Sequence, residues 1–484
     1  MPSYDLLVRD GFLVDDRGAR HGDIAVRGES IAALAAPGSL SPGDARRTIS
    51  AAGQLVLPGA IDAHVHFDFE LGPLISQSYA QGSRAALHGG TTTVIDFAFR
   101  GPERGSLVQA VRDKRGGADG EICCDYALHL IVAGAVTDDE LSELQSVVAD
   151  GVTTVKLFMN FPDFYPGDGA AAELFAELGR AGATAVVHAE NADVISARTR
   201  RLIAAGRTDW RNTEDSRPDW VEAEAVSRAI DLAASSGCRL FVLHVTSAAA
   251  AREIAAAQAR GVSVFAETCH NYIVFSKQDV VERPDGANWG NYPPLRPAPN
   301  RDALWDALQD GTLCHVSSDD YTCSLAIRNI NGLELPTVPS GHNGLETRLS
   351  VLYTEAVLRR GWPLERFADL AGGGIARRLG LWPRKGSLMP GADADLVLFD
   401  PRRAGAFRTE NLHTVEYSIW NDYRHGGEAT TTILRGTVMV QDGEWVGPAG
   451  TGRFLARAPG EPGELSGPPE AIFSRSRNSA AATA

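Results

Sequence analysis

The chain has 484 residues, 44% hydrophobic and 22% charged, which suits a large core with an attached second domain; no apolar run approaches the roughly 18 residues that a bilayer span requires. Its formal net charge is −15, and no Lys/Arg cluster interrupts the acidic balance, so neither nucleic acid nor a membrane is an expected partner. The six cysteines (Cys123, Cys124, Cys238, Cys269, Cys314 and Cys323) include no CxxC pair, and MPSYDLLVRDGF meets an acidic residue before any apolar stretch, so reduced thiols and a cytoplasmic location are expected.

The first 55 residues alternate short apolar runs with Gly/Asp turns, as in YDLLVRDGFLVDDRG and DIAVRGESIAAL, the texture of small antiparallel strands. That texture returns over 389–449, in GADADLVLFDP and TTTILRGTVMVQDGEW. The two ends are therefore expected to pair into one small composite β-sandwich, with 56–388 inserted between its halves. Residues 450–484, rich in Pro, Gly, Ser and Ala, read as an extended tail.

Within the insertion, eight apolar runs recur: LVLPGAIDAHVHF, GTTTVIDFA, CDYALHLIV, VTTVKLFMN, ATAVVHAEN, RLFVLHVTS, VSVFAETCH and LCHVSSDD. Near-continuous hydrophobicity is what strands buried on both faces require. Helical patterns lie between them. Thr137 and Glu140 form a capping box opening DDELSELQSVV, and over 219–236 Val226, Ala229, Ile230 and Ala233 share one stripe that Gly237 is placed to end. The reading is α/β: a (β/α)8 TIM barrel plus a small composite β-sandwich domain built from both chain ends.

Active sites of such barrels lie at the C-terminal strand ends. Run one ends in His64 and His66, run four in Lys156, run five in His188, run six in His244 and run eight in Asp319. His64 and His66, two apart on a strand, leave the same face and can reach one metal ion. Taken singly, each histidine could equally be a satisfied core residue; their convergence with a lysine and an aspartate at adjoining strand ends argues for a site.

The chain has only four lysines (Lys114, Lys156, Lys277 and Lys385) against 42 arginines. An ammonium ion at the end of VTTVKLFM would be costly to desolvate and repelled by metal ions. Reaction of its amine with carbon dioxide would give a carbamate, an anion with one oxygen for each of two divalent metals. Asp319 would complete the first ion's shell beside His64 and His66, and His188 and His244 would bind the second. The bridging hydroxide would be the nucleophile, with Asp319 as catalytic base and then acid toward the departing nitrogen.

With those residues in place, the chain resembles the D-hydantoinase/dihydropyrimidinase branch of the amidohydrolase superfamily over almost its whole length. The matching segments include GAIDAHVHFDFE, GGTTTVIDFA, VKLFMNFPDFY, HAEN, LHVTSAAAA, AETCHNY, PPLRP, GLETR, RKGSLMPGADADLVLFDP and GRFLAR, in the family's order. The resemblance implies a carboxylated Lys156, two zinc ions, a small cyclic amide substrate, and self-association, commonly a homotetramer, with the tail as an oligomer contact. Asp68 stands where a dihydroorotase would carry an arginine, which favours the hydantoinase side.

Three departures bear on the substrate. The family's FMAY tyrosine, an oxyanion donor, is replaced by Phe161, leaving Tyr165, another group or the metals to stabilise that charge. Tyr292 stands where a serine usually precedes PPLR, and Asp320-Tyr321 replaces His-Cys after Asp319. Phe161, Tyr165 and Tyr292 are thus the expected substrate-binding positions. The expected reaction is opening of a hydantoin, dihydropyrimidine or cyclic imide ring, with another amidohydrolase reaction (allantoin-type or linear amide) or a metal-poor binding homologue as alternatives.

Overall fold

The computed structural model describes residues 2–103 and 105–458. Eight parallel strands follow the predicted runs: Ala60–Asp62, Thr91–Arg100, Asp125–Val132, Thr154–Phe158, Thr184–His188, Arg239–Val242, Val264–Cys269 and His315–Ser317, each paired with its sequence neighbours. Every residue of these strands is buried except half-buried Phe99. The two-residue period sorts the apolar side chains into two cores. Ile95, Phe97, Ala127, Ile131, Phe158, Val186, Phe241 and Phe265 pack inside the barrel. Val94, Ala98, Leu128, Leu130, Val155, Leu157, Ala185 and Leu240 face the surrounding helices.

Between the first and last strands, closure rests on a single bridge, Val65 to Asp320, with the His66 amide donating to the Asp320 carbonyl at 2.9 Å. The helices start and stop where the sequence indicates. Thr137 and Glu140 cap Asp138–Ala149 reciprocally, and Gly237, at φ 67°, ends Asp219–Ser236 in the left-handed region.

The chain ends form one separate nine-stranded sheet. The strand Leu55–Pro58 joins its halves, parallel to Tyr4–Asp15 and antiparallel to Leu396–Ala406, so the first apolar run serves two sheets: Leu55–Pro58 here and Ala60–Asp62 in the barrel. Leu6, Val8, Ile24, Val56, Leu388, Leu396 and Ile433 form its core. Sheet and barrel are locked by a buried charge cluster in which Lys385 Nζ donates to Asp125 of the barrel (2.7 Å) and to Asp395 of the sheet (2.6 Å), with Asp393 3.0 Å away. The segment to residue 458 then runs beneath the barrel, Tyr126 donating to Arg453 and Leu455 to Tyr126. The rest of the predicted tail, 459–484, lies outside the described residues. No described helix is long and apolar enough to cross a membrane.

Candidate metal centre

The strand alternation that buries Val155 and Leu157 against the helices turns Lys156 and Phe158 inward, and in the next strand it does the same for Val186 and His188. His66, Lys156, His188, His244 and Asp319 consequently line one cavity of about 230 Å³. His64 lies just behind: its Nε2 is 3.1 Å from Asp319 Oδ1, and His66 Nε2 is 3.4 Å from the same oxygen. One donor atom from each of these three residues falls within 4.8 Å of the others. The rings of His188 and His244 meet edge to face at 4.4 Å, and those of His64 and His244 are 5.4 Å apart. His244 (φ 36°) and Asp319 (φ 51°) are held in the left-handed region, a strain of about 1–3 kcal/mol each that persists where the surroundings over-determine it and that clusters at functional sites.

Two carboxylates orient the imidazoles. Glu267 accepts from His64 Nδ1 at 2.8 Å, which leaves Nε2, a buried atom with no hydrogen-bond partner, toward Asp319. Glu190 takes the opposite nitrogen of His188, Nε2 at 2.8 Å, and is held by Arg217 at 2.6 Å. Burial alone would raise the Glu190 carboxyl, but Arg217 and His188 pull it down to about 2. Burial lowers all four imidazoles, so they are neutral, with lone pairs to offer. Asp319 is held below the usual carboxylate range although burial opposes it, because His64, His66 and His244 surround it. A carboxylate packed among neutral imidazoles, two of which have their second nitrogen fixed by a carboxylate, is the donor set of a metal site.

The four lysines separate cleanly. Lys114 pairs with Asp96 (2.9 Å), Lys277 with Glu214 (3.0 Å) and Lys385 with three aspartates. Lys156, fully buried, has no carboxylate within ion-pair distance among the described residues; its Nζ lies 4.4 Å over Phe97 and 4.5 Å over Phe158. Burial lowers this amine to about 8, against opposing pulls from Asp319 and Glu267.

The outer wall is mostly apolar. Phe69, Leu71, Leu74, Phe158, Phe161 and Val338 face the cavity, with the side chains of Asn160, Asn291, Tyr292, Tyr321 and Ser340 among them. Phe161 and Tyr292 both line the cavity, their rings 6.4 Å apart. The Tyr292 hydroxyl donates to the Val338 carbonyl at 2.9 Å and its ring lies 3.9 Å from the Arg217 guanidinium, so the ring is what it offers a ligand. Tyr165 is not brought to this cavity: its hydroxyl donates to Asp168, at the start of the helix Asp168–Arg180, and its ring lies under Arg228. Sequence reasoning overlooked Glu190, Glu267 and Asn291. The first two stand in HAEN and AETCH, Glu190 just past the strand Thr184–His188 and Glu267 inside the strand Val264–Cys269; a charged residue beside an otherwise apolar strand was the only sign of either.

The amidohydrolase family model matches residues 55–439. A D-hydantoinase of Geobacillus stearothermophilus is 34% identical over 461 residues, 93% of this chain and 96% of that protein, and a dihydropyrimidinase of Rattus norvegicus is 34% identical over 95% of this chain and 90% of its own length. Among solved structures, dihydropyrimidinase from Brevibacillus agri superposes with a TM-score of 0.90 at 33% identity, covering 94% of this chain and 99% of its own. L-hydantoinase from Arthrobacter aurescens does so with 0.86 at 30% identity, covering 94% and 100%. With matches along nearly its whole length and neutral imidazoles gathered around one carboxylate at the barrel mouth, the chain belongs to the amidohydrolase family, in its hydantoinase/dihydropyrimidinase branch.

Proposed function

We propose that this protein hydrolyses the C–N bond of a small cyclic amide or ureide, opening the ring, with two divalent cations held by its own side chains. The observation that carries the reading is Lys156: the one lysine without a carboxylate partner among the described residues lies among four neutral imidazoles and Asp319.

His64, His66 and Asp319 would hold one cation, His188 and His244 the other. The Lys156 amine, neutral above about pH 8, adds to carbon dioxide and loses a proton to give an N-carboxylate that would serve both. Zinc suits imidazole and oxygen donors of this kind. When bound, the cations would lower the pKa of water to about 7 and polarise the substrate carbonyl. Asp319 accepts the proton released as the ring carbonyl is attacked and returns it to the departing nitrogen, which an amide leaving group requires. The apolar walls, Phe161 and Tyr292 included, exclude water and grip the ring's substituent. A homotetramer or homodimer in the cytoplasm is the assembly we propose from the family resemblance, and light scattering on the purified protein checks its stoichiometry.

Phe161 and the engaged Tyr292 hydroxyl favour one second reading: an amidohydrolase reaction on a substrate other than a simple hydantoin, such as allantoin or a linear amide. The deciding experiment is turnover by metal-analysed protein on hydantoins, dihydropyrimidines, cyclic imides, allantoin and linear amides. Ring opening of a hydantoin, dihydropyrimidine or imide is expected, and activity confined to linear amides would overturn the proposal.

A further inference from the structure

Asp319 Oδ1 faces His64 and His66, while its other oxygen, Oδ2, accepts a hydrogen bond from Asn291 Nδ2 at 3.1 Å. The orientation of that amide is set by its surroundings. Asn291 Oδ1 accepts from the Tyr292 amide (3.0 Å) and from Ser340 Oγ (3.1 Å), so the carbonyl end is committed to two donors and the NH2 end must turn to the carboxylate. Both Asn291 and Ser340 line the cavity, and Asn291 is buried.

The same two chain segments are tied elsewhere. Tyr292 donates to the Val338 carbonyl, and the buried Arg328 guanidinium donates to Gly341 on one side and to the carbonyls of Ala287, Asn288 and Gly290 on the other. Residues 336–341, which form part of the cavity's outer wall, are in this way one hydrogen-bonded unit with residues 287–292.

We propose that Asn291 is a positioning residue for Asp319, and that through Ser340 it makes the substrate-facing wall and the carboxylate a single unit. Asp319 sits at a strained φ of 51°, and the Asn291 bond is a local contact fixing the rotation of its carboxyl group. A substrate that displaces Ser340 would act on the carboxylate that handles the proton. The inference rests on the reading of Asp319 as proton carrier.

The test compares Asn291→Met, Asn291→Asp, Ser340→Ala and Asp319→Asn on whichever ring substrate the wild type turns over. Asn291→Asp keeps the size and the acceptor for Tyr292 and Ser340 and sets a second carboxyl group against Asp319 in place of the amide donor, so it stays informative if Asn291→Met does not fold. Loss of an orienting partner of this kind costs about 10–100-fold. We expect kcat to fall by that factor in both Asn291 variants, with KM and metal content as in wild type, and by less than about tenfold in Ser340→Ala. Wild-type kcat across the pH range in Asn291→Asp would overturn the inference, since an ionised carboxyl group in place of the amide would then leave Asp319 unaffected and holding the wall would be all Asn291 does. Loss of metal in step with kcat would overturn it as well, because the amide would then serve cation binding and not the carboxylate's position. Asp319→Asn separates the two layers: full activity there sinks the proton-carrier reading itself, whatever Asn291 does.

Discussion

Removing Glu267 from His64 tests whether orientation of the imidazole, and not its mere presence, makes the site. Glu267 Oε1 and His64 Nδ1 are 2.8 Å apart, both side chains are inaccessible, and the two residues come from strands 203 positions apart in sequence. Glu267→Leu leaves a buried N–H with no acceptor, which costs about 1–3 kcal/mol. Metal affinity lost with an outer-shell partner is about 10–100-fold, or roughly 1.4–2.7 kcal/mol, so the two scales agree. Glu267→Gln keeps the acceptor without its charge, and a neutral hydrogen bond has about half the strength of a charge-assisted one. The expected loss is therefore near tenfold for Gln and near a hundredfold for Leu. Metal per chain, measured by mass spectrometry after dialysis against a graded chelator series, reads this directly, with circular dichroism checking the fold. Wild-type metal retention in both variants would refute the reasoning.

Lys156→Met should lose at least one equivalent of metal and reduce turnover by more than a thousandfold, with no recovery in added bicarbonate; recovery would remove the lysine from the chemistry. Phe161→Tyr supplies a hydroxyl at the cavity wall and should raise kcat on a small hydantoin or dihydropyrimidine by up to about 10²-fold; an unchanged kcat would mean that another donor already serves the oxyanion. Lys385→Met leaves Asp125, Asp393 and Asp395 facing one another and should cost about 3–5 kcal/mol in urea denaturation. Burial alone would lower the Lys385 amine, but the aspartates raise it above its ordinary 10.5. Its contribution is thus fully present below about pH 10.5 and lost as pH rises through the folded value, so the wild-type advantage should persist at neutral pH and shrink only in strong alkali.

Strands buried on both faces announce themselves, and this made the barrel legible: all eight apolar runs became parallel strands. The site was legible for a related reason, since a histidine, lysine or aspartate closing an apolar strand has few explanations inside a core. What escaped depended on contacts between distant segments. Nothing local in LVLPGAID shows that its first half pairs with Leu396–Ala406 and its second with Thr91–Arg100. Glu267 reads as an ordinary polar strand residue until His64 lies against it, and Asn291 means nothing until Ser340, 49 positions on, donates to its carbonyl and fixes its orientation. Tyr165 stays off the cavity wall because Asp168 captures its hydroxyl, a helix-start interaction that spacing from Phe161 does not reveal.

Four buried carboxylates around the barrel mouth are each paired with a cation, whereas the carboxylate inside the cavity is not. Asp62 has Arg348 at 3.2 Å, Asp96 has Lys114 at 2.9 Å, Glu190 has Arg217 at 2.6 Å and Glu222 has Arg296 at 3.1 Å. Among the described residues Asp319 has no lysine or arginine within ion-pair distance; burial keeps the imidazoles around it neutral, and beside them Lys156 is an amine that burial makes readily neutral. Carboxylating Lys156 without cations would bury a second anion beside Asp319, and binding cations without carboxylating it would set an ammonium among them; each step alone is disfavoured. The two should therefore occur together. In protein stripped of metal and given 13C-labelled bicarbonate, the carbamate carbon resonance should be absent at neutral pH and appear on adding two equivalents of zinc. A full carbamate signal in the metal-free protein would show that the lysine's environment, and not the cations, stabilises the modification.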